Sequence, residues 1–137
     1  MALQLAVSTR NARLAAVETD LGASPILEIR SGAQPANCAA ADAGTLLCSI
    51  TLPADFMADP SNGTVAKNGT WAGTGHANAG AGTNAGHFRM KTSGGVCKVQ
   101  GSVTATSGGG DMEIQNISVA QNQAVTVTAC NLTDANA

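Results

Sequence analysis

Tyrosine is absent from this chain, and Trp71, Phe56 and Phe88 are its only aromatic residues, 2% of 137 positions. Binding hot spots, base stacking and carbohydrate platforms all use flat rings with polar edges, so a site of those kinds has very little to draw on. Charge is scarce too: Asp, Glu, Lys and Arg make up 12% of the residues, with 7 basic against 9 acidic side chains and a net charge of -2. A typical globular chain carries ~25%. Binding to phosphate backbones by counterion release needs clustered Lys and Arg, which are missing, and this argues against nucleic acid as a direct partner. No run approaches the ~18 apolar residues of a membrane span. Leu3 to Val7 is too short for the apolar region of a secretion signal and is followed at once by Arg10 and Arg13. A soluble protein made in a cytoplasm, without a membrane partner, is expected.

What remains is Ala, Gly, Thr, Ser, Asn and Val, the alphabet of short strands and tight turns. The hydrophobic share of 44% suffices for one core without staples. Leu3, Leu5 and Val7 alternate with small or polar residues, so residues 1–7 read as a short extended arm. Leu14, Val17 and Leu21 fall at helical spacing, with Ser8 as N-cap and Gly22 as stop, which predicts a helix over 9–21 whose outward face carries Arg10, Arg13 and Glu18. A solvated face is the ordinary reading of those charges, a docking face the sharper one.

Beyond Pro25 the period becomes two. Leu27 and Ile29 oppose Glu28 and Arg30, and Leu46, Cys48, Ile50 and Leu52 form the inward side of a second strand that stops at Pro53. The Ala-rich connection over 34–44 is long for a hairpin and is expected to cross between sheets. Residues 58–86 hold little beyond Gly, Asn, Ala and Thr, so they read as mostly loop, with a short strand over 70–72 whose Trp71 indole plugs the core. Phe88 and Met90 alternate with Arg89 and Lys91; Ser93-Gly94-Gly95 then predicts a hairpin turn into Cys97, Val99, Gly101 and Val103. A second loop over 107–110 leads to Met112 and Ile114, the parity slips before Ile117 and Val119 as at a bulge, and a last strand runs over 124–132. The expectation is a mainly β chain: one domain over 8–137, with an antiparallel β-sandwich or jelly roll over 25–137 behind one N-terminal α-helix and the arm.

The search for chemistry assigns no catalytic, cofactor or metal residue. His76 and His87, the only imidazoles, lie among glycines without the spacing of a tetrahedral metal site, and are expected as exposed loop histidines. No Gly-x-Ser-x-Gly nucleophile elbow occurs. Asp55 with Asp59, and Asp111 with Glu113, are spaced to hold a hard cation, but their oxygen ligands are sparser than those of calcium loops, and solvated turn acids are the simpler reading. Asn62-Gly63-Thr64 and Asn68-Gly69-Thr70 match glycosylation sequons, yet as turn dipeptides they need no further role. Cys38, Cys48, Cys97 and Cys130 are an even number in a small domain and invite a disulfide framework. Expected synthesis in a reducing compartment, with Cys48 and Cys97 on the apolar sides of their strands, favours buried free thiols instead.

The opening residues 1–14, Ile26-Leu-Glu-Ile-Arg-Ser-Gly32 followed by Gln34-Pro-Ala, Ala39-Ala-Ala-Asp-Ala-Gly-Thr-Leu-Leu47, Gln123-Ala-Val-Thr-Val-Thr128 and the ending 131–137 resemble a group of small proteins encoded among the structural genes of tailed bacteriophages and prophages. The resemblance implies a virion component, a cement or decoration protein on the head, and no catalytic residue. Its partners would be the major capsid protein and copies of itself, a trimer about a local threefold axis being one arrangement. Leu3, Leu5, Val7, Arg10 and Arg13 are the expected assembly contacts, since an extended arm adds to a neighbour through main-chain hydrogen bonds. A neck or tail component is the nearest alternative, and a receptor- or glycan-binding module is one from another class, against which the shortage of aromatics counts.

Overall fold

The computed structural model describes residues 2–135. Its helix, α1 (Val7–Leu21), begins two residues before the expected start. Ala6, with φ -60 and ψ 152, is the N-cap and makes no side-chain cap, so Ser8 lies inside the first turn. The helix is entered through the Ala6 carbonyl, which accepts the Arg10 N–H at 3.1 Å. It ends at Gly22, at φ 77, whose N–H bonds the Glu18 carbonyl at 3.0 Å. Leu14 and Leu21 are buried and Val17 packs against the core, a narrow stripe for a helix of four turns. Polar ties complete its docking: Asn11 Oδ1 accepts the Gly63 N–H at 2.9 Å, Glu18 Oε1 accepts the Met57 N–H at 3.3 Å, and Lys98 pairs with Asp20 at 3.2 Å.

The rest is mainly strand: β1 (Ile26–Ser31), β2 (Leu46–Thr51), β3 (Thr64–Ala66), β4 (Ala72–Thr74), β5 (Thr83–Lys91), β6 (Cys97–Ala105), β7 (Met112–Ile114), β8 (Ser118–Val119) and β9 (Ala124–Thr133), with a 3-10 turn at Ala77–Ala79. They form a curled sheet in the order β2-β1-β5-β6-β7-β9-β3, with β4 also on β9 and β8 on β5. The register aligns Leu27 with Ile50 and Met90, and Ile29 with Cys48 and Phe88, so the period-two apolar rows of three strands make one inner wall. The curl brings the ends together: Gly75, just past β4, bridges Cys48 of β2, and the His76 N–H bonds the Leu47 carbonyl at 2.7 Å.

Four expectations are corrected by this topology. The sheet is mixed, because β6 and β7 run parallel. Parallel neighbours usually need a connection of a dozen or more residues; here the chain folds back beside its own strand through 106–111, with Ser107 at φ 68 and Gly109 at φ 81. Gly108 and Gly110 pass so close to Thr104 that a Cβ at either would meet its side chain at 2.7 and 2.9 Å, which is why the turn is built of glycine. Second, the 34–44 connection does not cross between sheets: β1 and β2 are antiparallel neighbours, and the connection folds back over the outer face of the sheet, its Cys38 and Ala40 carbonyls accepting from Arg89 of β5. Third, residues 58–86 are more ordered than their composition suggests, and the short strand lies at Ala72–Thr74 rather than over 70–72. Order there comes from main-chain pairing of β3 and β4 to β9, which needs no apolar pattern. Fourth, Arg89 and Lys91 do not face water; they are 1% and 7% exposed beneath the connection. The hairpin turn ahead of Cys97 and the burial of Trp71 agree with the sequence; the parity slip before Ile117 is a break between β7 and β8, which pair with different strands, and the register shift lies earlier, at Glu113/Ile114.

Gly75 closes the curl and leaves no room for a side chain: a Cβ there would collide with the Ala120 carbonyl. Because the obstacle is backbone, Gly75→Ala is expected to cost about 1–3 kcal/mol of stability. In Gly94→Ala the nearest atom is Thr92 Oγ1 at 3.7 Å, so stability should stay within about 0.5 kcal/mol. Thermal denaturation of the two variants side by side checks this.

Candidate functional site

Two places carry unusual chemistry. The first is the beginning of the chain. Residues 2–6 have no regular structure, Leu3 is 74% and Val7 44% exposed, and Leu5 is half-buried. Val7 is therefore the first residue of α1 and not the last of an arm. Arg10 and Arg13 both reach Asp134: half-buried Arg10 donates through Nη1 to its carbonyl at 3.0 Å, and Arg13, which stays exposed, pairs with its carboxylate at 3.2 Å. Of the expected contact set Leu3 and Val7 are exposed and Leu5 is half-buried, while Arg10 and Arg13 tie α1 to Asp134.

The second place is a polar layer between the outer face of the sheet and the segment 33–45. On the strand side stand Glu28 and Arg30 of β1, and His87, Arg89 and Lys91 of β5, set by the register Glu28↔Arg89 and Arg30↔His87. The segment supplies Asp42. Its Oδ1 takes Arg89 Nη1 at 2.6 Å, and its Oδ2 takes Lys91 Nζ at 2.6 Å and Arg30 Nη2 at 3.1 Å. Glu28 pairs with Arg30 at 2.8 Å and Lys91 at 2.9 Å. Three cations thus share two carboxylates. Burial opposes ionisation of Asp42, but the Lys91 hydrogen bond and the charges of Arg30, Lys91 and Arg89 outweigh it and hold its carboxyl below the usual 3.8. Burial likewise opposes the charge on Lys91, yet its bonds to Asp42 and Glu28 raise it above 10.5. The three cations and two carboxylates thus face one another in direct ion pairs beneath the covering segment.

The histidines serve the fold. His76 is exposed, and its Nδ1 accepts the Asn78 N–H at 3.1 Å, capping the 3-10 turn. His87, expected in solvent, is 0% exposed: it lies under the covering segment, with Nδ1 donating to the Gly32 carbonyl at 2.9 Å. The paired acids are also engaged. Asp111 accepts the Ser102 N–H and hydroxyl, both at 2.8 Å, and Glu113 accepts the Ser107 and Gly109 N–H groups at 2.9 and 3.2 Å, so they brace the 106–111 turn. Asp55 accepts from Asn68 Nδ2 at 3.1 Å. Among the described residues no group of three or more His, Cys, Asp or Glu could hold a metal ion, and no helix is long and apolar enough to cross a membrane.

Comparison of the chain with protein-family models, curated proteins and solved structures finds no match in any of the three. Fold and side-chain geometry carry the functional reading.

Sequence reasoning missed the polar layer. Its signal was nonetheless present: three cations and one carboxylate at period two on two strands, with an isolated Asp42 in an alanine run, require that some segment cover them. Cys97 was expected on an apolar side. It is half-buried on the outer face, where Arg89 Nε donates to its sulfur at 3.2 Å.

Proposed function

We propose that this chain is a structural virion protein of a tailed phage, made in the host cytoplasm and attached to the capsid surface as a cement or decoration protein. Its partners in this reading are the major capsid protein and further copies of itself, a homotrimer being the simplest symmetric form. One observation carries it: a short arm without regular structure, with Leu3 exposed, leading into a helix whose first residue, Val7, is exposed as well and which is tied to Asp134 through Arg10 and Arg13. An arm of this kind is free to add to a neighbour while its root stays rigid. The resemblance of the opening and closing segments to small phage structural proteins supports the same reading. So does the use of both imidazoles and of most carboxylates as braces for turns and loops. The finer architecture, a jelly roll or sandwich body with one parallel pair, belongs to the same proposal and is supported by the meeting of β2 with Gly75. Many copies on a symmetric shell make weak single contacts durable.

Leu3→Asp is expected to weaken attachment to particles lacking this chain by roughly 10–100-fold, the value of burying one leucine side chain, while the thermal midpoint of the isolated chain stays put. Copies per purified particle should number on the order of hundreds for a shell protein and about a dozen for a neck component. Normal decoration by Leu3→Asp, or purified particles without the chain, would refute the reading.

A further inference from the structure

The four cysteines fall into two kinds. Cys48 and Cys130 are 0% and 1% exposed in the core, and burial pushes their thiols up to about 11 and about 12. Cys38 and Cys97 are half-buried and lie against each other at a cleft of about 330 Å3 that is also lined by Asp42, Arg89 and Val96. They come from distant parts of the chain, Cys38 from the covering segment and Cys97 from the first position of β6. One edge of the Arg89 guanidinium holds both: Nε donates to Cys97 Sγ at 3.2 Å and Nη2 to the Cys38 carbonyl at 2.7 Å, while Nη1 is anchored on Asp42 at 2.6 Å. Arg89 is 1% exposed and braced on three sides, so the pairing does not depend on a mobile surface side chain.

We propose that Cys38 and Cys97 are a two-electron redox site, which an oxidant of the peroxide class closes to a disulfide within one chain. Cys97 is the attacking sulfur, because the guanidinium beside it offsets the negative charge that develops as its proton leaves; that thiol proton points to the Val99 carbonyl at 3.5 Å. Its sulfur takes one peroxide oxygen, the O–O bond breaks, and the other oxygen departs as water, leaving a sulfenic acid on Cys97. The Cys38 sulfur then displaces that hydroxyl group, which leaves with the Cys38 proton as a second water, and the sulfur–sulfur bond forms. In sum the two thiols lose two protons and two electrons, and the peroxide is reduced to two waters. Burial and the adjacent Cys97 push the Cys38 thiol up, with the Arg89 charge opposing them, which suits the second role better than the first. The product ties the 33–45 segment to β6 across a long stretch of sequence, the case in which a cross-link most restricts the unfolded chain.

The experiment uses the isolated wild-type chain and is independent of the virion reading. Titratable thiols are counted in denaturant before and after treatment with an equivalent of hydrogen peroxide, and the products are mapped as peptides. Four thiols should fall to two, with a Cys38–Cys97 link, no change in oligomeric size, and a thermal midpoint raised by roughly 10 °C that dithiothreitol reverses. Cys38→Ser should stop at a sulfenic acid on Cys97, trapped by a dimedone reagent, and Cys97→Ser should consume peroxide at least about tenfold more slowly. Links between chains, links at Cys48 or Cys130, survival of all four thiols, or an undiminished rate in Cys97→Ser would each overturn the proposal.

Discussion

Trp71→Ala is expected to be among the most destabilising single substitutions in this chain, costing about 3–5 kcal/mol and lowering the thermal midpoint by roughly 10–20 °C. Trp71 is 0% exposed and is the largest fully buried side chain. Its ring centroid lies 6.4 Å from that of Phe56, Lys67 Nζ stands 5.9 Å from the ring centroid, and its indole N–H donates to the Asn68 carbonyl at 3.0 Å. Neighbouring positions are too small to refill the cavity, since residues 72–75 are Ala, Gly, Thr and Gly. The main chain at this point also serves the sheet: the Trp71 carbonyl accepts the Val127 N–H at 2.9 Å, between the contacts of β3 and β4 with β9. Loss of the ring should therefore loosen two strands as well as the core. Circular dichroism through a thermal ramp measures the shift, and a midpoint within a few degrees of wild type would show that the indole is not the keystone of this segment. Trp71→Phe, which keeps most of the area and loses only the N–H bond, should fall between.

Asp42→Ala should cost about 2–3 kcal/mol. Removing one partner of a fully buried ion pair costs ~3–5 kcal/mol. Here the value is lower because Asp42 is a third exposed to water and Arg89 keeps the Cys38 and Ala40 carbonyls. Urea denaturation gives the number; a loss under half a kilocalorie per mole would mean that the layer does not hold the covering segment. The same carboxylate sets an acid limit. Since its pKa is lower in the folded chain than in the unfolded one, the stability it supplies is complete above the ordinary value of 3.8 and is lost as pH falls below it toward the folded value. Asp42→Asn should flatten that part of the acid unfolding profile. Lys91 acts in the opposite direction: its raised pKa keeps its contribution intact at all pH values below 10.5, so the neutral range is unaffected.

How much of this was legible depended on where the information resides. In β1 and β5 the apolar side alternates within the strand, so Leu27, Ile29, Phe88 and Met90 are recognisable as inward without knowing what they meet, whereas in β2 a register shift buries Leu47 beside Cys48 and sets Leu46 opposite Arg30. The helix was legible for the same reason, through Leu14, Val17 and Leu21. Its start was not, because the capping preference of Ser8 is worth only about 1 kcal/mol and the helix is already entered at Ala6. β3 gave no signal and β4 was placed two residues early, as the order of both is lent by the edge of β9. The glycine run before Asp111 marked a turn, but whether a turn sends the chain back antiparallel or parallel is decided by what it packs on, here Thr104.

The site shows the same division more sharply. Composition and period determined a weakly charged, β-rich chain with one amphipathic helix, an apolar arm and a sparse set of ionisable side chains. Only the tertiary structure decided which of those ionisable groups meet. The polar face of a strand is assigned to water by default, and nothing local says that another segment will cover it. Once residues 33–45 fold over β1 and β5, His87, Arg89 and Lys91 become interior groups, Asp42 becomes their counterion, and Cys38 comes to rest on Cys97. Period and propensity are properties of neighbours in sequence, whereas burial, ion pairing and thiol contact are properties of neighbours in space.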